Sequence, residues 1–446
     1  MRFIANTSDI EKYLGVKINE HHSIKNISTD TRFLKKDSIF FAIKGENFNG
    51  NDYVEEALKK GAVIAIADDT RFANSKEEKI IYVKDTTLAL AKISSNIIKD
   101  FDGKVIAITG SNGKTTTTNI ISKTLKHSSS TIENFNNEIG MPLSVLNASP
   151  KAKQLVLEIG ASKFKDIDYL SKILNPHIGV ITNIGNSHLE QLKNIKGVLK
   201  VKSEIIKNIR SDGFLVVPNE NKKHLDYWKK IRRDIKIITF GMSKDADFYA
   251  SKIKIKHNGT NFHIVSKFID EPIQIKTSFE GTHNIKNILA SCVTNFCLNK
   301  KLNGFAKSLN SNEFKNTRQN KSKWLKGSIL IDDTYNANPD STKKSIDLLS
   351  NYKKKTILIL GDMLELGRYT KKLHKEVGEY ANAKGIDLML GYGDTAKYAI
   401  NGFGKNGIYF RNEDDLKDYL KENVSSKDVI LIKGSRGMRM ERFINV

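Results

Sequence analysis

Short apolar runs, each closed by a polar or glycine-bearing turn, recur along most of the chain and fall into three series. In the first, residues 38–44 and 62–67 read as strands, with helical spacing from about Tyr53 to Lys60 between them. A helix from about Thr87 to Ile98 leads into the second series. Its strands lie near 104–109, 154–159, 177–183, 213–217 and 235–240, mostly separated by helical segments. The third series follows Arg318, with strands near 328–332, 356–360, 386–390 and 428–433. Continuous apolar strands alternating with helices predict α/β architecture, with mostly parallel sheets covered by helices. Residues 241–277 break the pattern, because Lys252, Lys254 and Lys256 alternate with Ile253 and Ile255; they read as exposed antiparallel strands inserted in the central domain. In doubly wound sheets ligands bind beyond the carboxyl ends of the strands, so the residues just after each strand are the first candidates for chemistry.

A length of 446 residues accommodates three such domains at roughly 100–200 residues each. The boundaries read as 1–85, 86–312 and 313–446. Apolar residues make up 39% and charged residues 28%, which is globular usage, and no run approaches the ~18–20 residues of a membrane helix. No membrane span is expected. The first residues carry one Arg and no apolar core, so no secretory signal is read there and a cytoplasmic location is expected. Cys292 and Cys297, five apart in one predicted helix, read as buried free thiols. The net charge of +23 points first to nucleic acid. However, only 12 of the 73 basic residues are Arg, and residues 101–446 carry +22 of the excess as scattered doublets and triplets. No basic arm interleaved with aromatics tracks a strand, so no nucleic-acid partner is expected.

The strongest local signal runs from Val105 through Gly110, Ser111, Asn112, Gly113, Lys114, Thr115 and Thr116 to Thr117: a strand, a glycine loop and the start of a helix. Glycines let backbone amides approach phosphate oxygens, and the helix N-terminus adds partial positive charge. Lys114 can reach the terminal phosphates, and Thr115 can ligate Mg²⁺. The loop is a shortened phosphate-binding pattern, because Ile108 stands where the strict form has glycine. Glu158 closes the next strand, where a buried carboxylate is costly unless it is paired or holds a metal. His188 follows the strand after that, and with Lys114 and Glu158 at neighbouring strand ends a catalytic role is expected. Spacing alone singles out neither Lys200 nor Lys202 on the helix that follows.

With these motifs in place the chain resembles the Mur ligases, the ATP-dependent amide ligases of peptidoglycan synthesis, along nearly its whole length, and most closely the branch that adds D-alanyl-D-alanine. The resemblance rests on Asp30, Thr31 and Arg32 with residues 38–45 and 49–53; on Thr109 to Thr117; and on Asn134 to Pro142 with Asn136 and Asn137. It extends to Gly281, His283, Asn284 and Asn287; Asp333, Tyr335, Asn336 and Asn338 to Asp340; Asp362, Glu365 and Gly367 with His374; and Lys433 to Met438. Two departures occur: Asn49 and Asn51 replace an acid and a histidine of the first-domain motif, and Lys165, Asp166 and Ile167 stand where Gly-Glu-Ile is usual. The resemblance implies a substrate-binding first domain, a P-loop-type central domain and a Rossmann-like third domain. It also implies a monomer that uses ATP and Mg²⁺ to join D-alanyl-D-alanine to UDP-N-acetylmuramoyl-tripeptide.

Its site residues, carried over one by one, are Lys114, Glu158, His188 and Lys202 for catalysis. Thr115, Glu158, His188 and a carbamylated Lys202 hold metal. Asn284 and Asn287 serve adenine, Asp333 ribose and Arg318 phosphate, and Thr31, Arg32, Lys44, Asn136 and Asn137 contact the muramoyl substrate. Because Lys114 and Asp333 lie in different domains, binding ATP implies closure. Alternatives are a ligase of the superfamily that adds a single amino acid, a folylpolyglutamate synthase, and a nucleic-acid-dependent P-loop ATPase. The Asp-Asn-Pro-Arg string typical of the amino-acid-adding branch is missing from the chain.

Overall fold

The structure is a computed structural model that describes residues 4–45, 47–256, 259–302, 304–310 and 319–446. Three sheets follow one another along the chain. The first has four parallel strands in the order Asn26–Ser28, Ser38–Phe41, Ala62–Ala67 and Ile80–Tyr82. The helix Thr86–Asp100 starts where Asp85 accepts the Leu88 amide at 2.8 Å, and it packs on Thr7–Leu14 at one side and on Gly140–Leu146 and Asp166–Leu174 at the other. It therefore contributes to the packing of both the first and the second domain.

The second sheet has nine strands. Its spatial order is Ile273–Thr277, Gly259–Ser266, Phe248–Lys256, Lys236–Gly241, Phe214–Pro218, Ile178–Ile181, Lys104–Thr109, Gln154–Glu158 and Ser128–Ser130. All neighbours are parallel except the two pairs among the first three strands. The lysine-rich segment thus forms antiparallel strands, as expected, and these extend the central sheet. Phe248, Phe262, Ile264 and Ile275 are buried in the same core as the helix Thr282–Asn299, while residues 252–256 reach past that core and stay exposed. Each fully buried Ile or Phe contributes roughly 1.5–3 kcal/mol, which is ample to hold the extension in register.

The third sheet runs Asn320–Lys323, Ile329–Asp333, Asp428–Lys433, Lys355–Gly361, Leu388–Tyr392 and Gly407–Phe410, with only the first pair antiparallel. Strands at 26–28, 80–82, 128–130, 320–323 and 407–410 escaped the sequence reading. They are three or four residues long and lie outermost in their sheets, where one side has no neighbour and the apolar demand is weak. Cys292 and Cys297 are free and buried in the helix Thr282–Asn299, and burial pushes both thiols up. Among the described residues no helix is long and apolar enough to cross a membrane.

Candidate active site

The strand Lys104–Thr109 lies between Gln154–Glu158 on one side and Ile178–Ile181 on the other, all parallel, with Ile108 opposite Glu158 and Thr109 opposite Ile181. Their carboxyl ends therefore open on one edge, and the glycine loop follows the central strand, beside which the strand order reverses. Gly110 and Gly113 have φ of 147° and 80°, the left-handed half of backbone space that glycine tolerates. A Cβ at Gly110 would collide with Thr182 and one at Gly113 with Asn287, so the loop is packed as tightly as its conformation is unusual.

Asn183 clamps the loop by accepting the Asn112 amide at 3.0 Å and donating to the Asn112 carbonyl at 2.8 Å. The Thr182 hydroxyl donates to the same carbonyl at 2.6 Å. Ser111 exchanges hydrogen bonds with the Gly185 carbonyl and amide at 3.0 and 2.9 Å. The helix Lys114–Thr124 then begins without an acid in its first turn, which leaves its N-terminal amides suited to an anion. The Lys114 ammonium donates to the Gly110 carbonyl at 3.1 Å.

Glu158 is buried, yet both its oxygens are held: one accepts the Thr115 hydroxyl at 2.9 Å and the other the Asn136 amide at 2.6 Å. On the opposite flank, Lys202 sits in the helix Ile195–Ser203 with only 1% of its surface exposed, while Lys200 is exposed with its ammonium 5.8 Å over the Phe164 ring. Two positions along a helix are ~200° apart, which is why one lysine turns in and the other out. Trp228, fully buried, donates to the Ser203 hydroxyl at 2.8 Å and anchors that helix. Burial, followed by the nearby Lys114 charge, pulls Lys202 down from 10.5 to about 7, although Asp166, Glu158 and Glu204 oppose the shift.

The third domain closes over this edge. Asn338 caps the helix Pro339–Leu349 and donates to the Asn112 side chain at 2.8 Å, while Asp340 accepts the Asn186 amide at 2.6 Å. His188 Nδ1 lies 2.7 Å from Glu365 Oε2, and the ring holds that carboxyl below its usual range. The cleft between the domains has a volume of ≈ 1510 Å³ and is lined by Lys114, Asn136, Asn137, Glu158, His188, Asn284, Asn287 and Asp333, among others. Gly110, Thr115 and Lys202 are not among the residues that line it. Asp333, at a strand end, forms a buried ion pair with Lys433 at 2.6 Å and accepts the Ser345 hydroxyl at 2.6 Å. Asn284 donates to the Glu280 carbonyl at 2.8 Å, and its side-chain oxygen accepts from Asn287 at 3.3 Å.

The remaining sequence candidates are placed elsewhere. Thr31 is buried, Arg32 is exposed and paired with Asp30 at 2.6 Å, Lys44 bridges Asn49, and none of the three lines the cleft. Arg318 lies outside the described residues. The departure at Asn51 has a structural use: its amide donates to Asp68 at 2.8 Å and accepts the Asp68 and Asp69 amides at 3.1 and 3.2 Å, tying two loops together. Asn338, Asp340 and Lys433 belong to motifs that carried the resemblance but were given no role there, and Asn183, two residues past the strand Ile178–Ile181, was likewise given none.

Among the described residues no three His, Cys, Asp or Glu side chains cluster to hold a metal alone. Mg²⁺ does not need such a cage, since it keeps waters and takes one or two carboxylates plus substrate phosphates. The hard-oxygen pair Thr115 and Glu158 beside the glycine loop fits that requirement.

Fold and site together define a three-domain nucleotide-binding protein whose P-loop domain shares one cleft with the α/β domain that follows it. Residues 23–98 match the Mur ligase family catalytic domain, 108–294 the Mur ligase middle domain and 319–436 the Mur ligase glutamate ligase domain. The chain belongs to the Mur ligase family. It is 32% identical to a UDP-N-acetylmuramoyl-tripeptide--D-alanyl-D-alanine ligase of Haemophilus influenzae, over 98% of this chain and 97% of that one. It is 34% identical to the Bacillus subtilis ligase of the same name, over 95% and 93%. The crystal structure of MurF from Acinetobacter baumannii superposes with a TM-score of 0.89 at 27% identity, covering 98% and 97%. MurF from Thermotoga maritima in complex with ADP superposes at 0.82 and 29%, covering 94% and 96%.

Proposed function

We propose that this chain is an ATP-dependent amide ligase that joins D-alanyl-D-alanine to UDP-N-acetylmuramoyl-tripeptide in peptidoglycan precursor synthesis, in the cytoplasm. The observation that carries the reading is a P-loop and a partly buried Thr115–Glu158 pair on a cleft shared by two domains, in a chain that matches UDP-N-acetylmuramoyl-tripeptide--D-alanyl-D-alanine ligases over nearly its whole length. Residues 1–85 then serve the muramoyl nucleotide, 86–312 ATP, and 313–446 closure and the dipeptide.

The reaction begins with two anions, the γ-phosphate of ATP and the tripeptide carboxylate, so their repulsion must be cancelled before the phosphoryl group can move. Lys114 releases the Gly110 carbonyl and pairs with the phosphates, while the loop amides and the helix N-terminus hold them in line. Phosphoryl transfer gives an acyl phosphate. The dipeptide amine then attacks the acyl carbon, a tetrahedral intermediate forms, and phosphate leaves as the amide bond closes. Docking of the third domain keeps water from the acyl phosphate. Thr115 and Glu158 would hold one Mg²⁺ ion, and Glu158, His188 and a carbamylated Lys202 a second, which would supply positive charge to the phosphates and the incoming carboxylate.

Burial supports the carbamate. Only a neutral amine attacks CO₂, and a lysine pulled to about 7 is substantially neutral at physiological pH, whereas one at 10.5 is almost wholly protonated. The amine lone pair bonds to the CO₂ carbon, a carbon–oxygen π pair moves onto oxygen, and the nitrogen loses a proton. Lys114 stabilises the anion that results. Asn284 and Asn287 at the glycine loop support adenine binding, and Asp333 with Lys433 the ribose.

The test is phosphate release from ATP with each substrate omitted in turn. Release that needs both UDP-N-acetylmuramoyl-tripeptide and D-alanyl-D-alanine is expected, and release stimulated by nucleic acid would refute the reading.

A further inference from the structure

Two loops meet across the domain boundary at His188 and Glu365, and both residues have left-handed backbone, with φ of 50° and 61°. Residues with a Cβ hold that conformation only where their surroundings impose it. His188 also caps the short helix Leu189–Leu192, and the two loops pack on each other. The Glu190 amide donates to the Glu365 carbonyl at 3.0 Å, and Gly367 packs so closely on Glu190 that an added Cβ would sit 3.0 Å from its Cα. Leu366, between them, is buried. The Glu365 backbone is therefore pinned against the loop that carries His188, and its carboxylate reaches the ring at Nδ1, 2.7 Å away. His188 lines the cleft. A carboxylate at Nδ1 fixes the tautomer and the orientation of an imidazole and leaves Nε2 with its lone pair for a cation.

We infer that Glu365 is a positioning residue for ligation: its carboxylate, brought by the third domain to 2.7 Å from a buried Nδ1 that has no hydrogen-bond partner in the structure, turns to accept the Nδ1–H hydrogen bond of His188 and presents Nε2 to the cleft. The His188 side of the site is then complete only when the third domain is docked, which ties assembly of the reaction centre to exclusion of water. This inference rests on the proposed role of His188 as a cation ligand. Other contacts at the seam include Asp340 to the Asn186 amide and Asn338 to Asn112, which hold backbone and amide groups. The competing role for a carboxylate in this place is to receive the ammonium group of the dipeptide, and kinetics separate the two.

Full-length Glu365→Ala, Glu365→Gln and His188→Ala variants test the inference. Glu365→Ala should lower kcat by about 10- to 100-fold, as loss of an outer carboxylate does, with the KM for D-alanyl-D-alanine little changed. Glu365→Gln should recover most of that loss, because its amide oxygen still accepts the Nδ1 proton. A second readout needs neither metal nor substrate. In protein labelled with ¹⁵N-histidine, the resonance that disappears in His188→Ala should report a protected Nδ1 proton in the wild type and in Glu365→Gln, and should lose it in Glu365→Ala. A raised dipeptide KM at unchanged kcat, or a ring proton indifferent to Glu365→Ala, overturns the inference. Full turnover by His188→Ala overturns the ligand role of His188 itself, a failure visible before Glu365 is altered.

Discussion

Replacing Lys202 with methionine should stabilise the protein while removing its activity, and the stabilisation should depend on pH in a defined direction. The side chain is 1% exposed, and burial together with Lys114 pulls its ammonium from 10.5 to about 7. At ~1.4 kcal/mol per pH unit, that gap corresponds to about 5 kcal/mol of stability forgone by keeping a lysine there. The unfolded chain holds the proton up to about 10.5 and the folded chain only to about 7, so stability rises with pH between those values. The cost is full below pH 7 and falls to about 2 kcal/mol at pH 9. Methionine keeps most of the stem's volume without the charge. Thermal unfolding in CO₂-depleted buffer should therefore place Lys202→Met about 5–10 °C above the wild type at pH 6, allowing for relaxation around the buried charge, with the gap narrowing by pH 9. Bicarbonate should raise the wild-type Tm and leave the variant unmoved. A gap independent of pH, or a variant less stable than wild type at pH 6, would refute the reasoning.

Lys202→Ala should lose most turnover and regain part of it with added formate or acetate, whose oxygen replaces the missing ligand; Lys200→Ala, on the exposed face, should retain activity, and the reverse pattern in the ligation assay would exchange their roles. Lys114→Ala should reduce ligation by at least about 100-fold with its circular dichroism unchanged, because it removes a preorganised cation at the phosphates. Lys433→Met should cost about 3–5 kcal/mol in denaturant unfolding, since it leaves Asp333 buried without its cation; a loss under about 1 kcal/mol would mean that the pair is close to neutral for stability. Free D-alanine and L-amino acids should be poor acceptors in the coupled ATPase assay compared with D-alanyl-D-alanine, and efficient use of a single amino acid would favour the amino-acid-adding branch.

The elements that the sequence made visible are those whose burial is local and continuous. The strand Lys104–Thr109 is buried after its first residue and apolar from Val105 to Ile108 because both faces of a central parallel strand are covered, and the glycine loop is legible because its φ values exclude most other residues. Glu158 could be singled out for a similar reason, since a carboxylate ending such a strand needs a partner. Short outer strands such as Ser128–Ser130 carry no comparable pattern, because a strand with one open side is held by its neighbour's backbone more than by its own side chains. Spacing alone could not separate Lys200 from Lys202, and Lys202 was named only through the resemblance; both lie on one charged helix, and only the packing of that helix, anchored through Trp228 and Ser203, buries Lys202 and leaves Lys200 in water. The pairing of His188 with Glu365 is further from view, as 177 positions separate residues whose contact exists only because two domains dock. Local sequence specifies backbone conformation and which faces are apolar; the electrostatic surroundings of a side chain depend on groups brought close by the whole fold, and those surroundings decide which lysine, histidine or carboxylate can do chemistry.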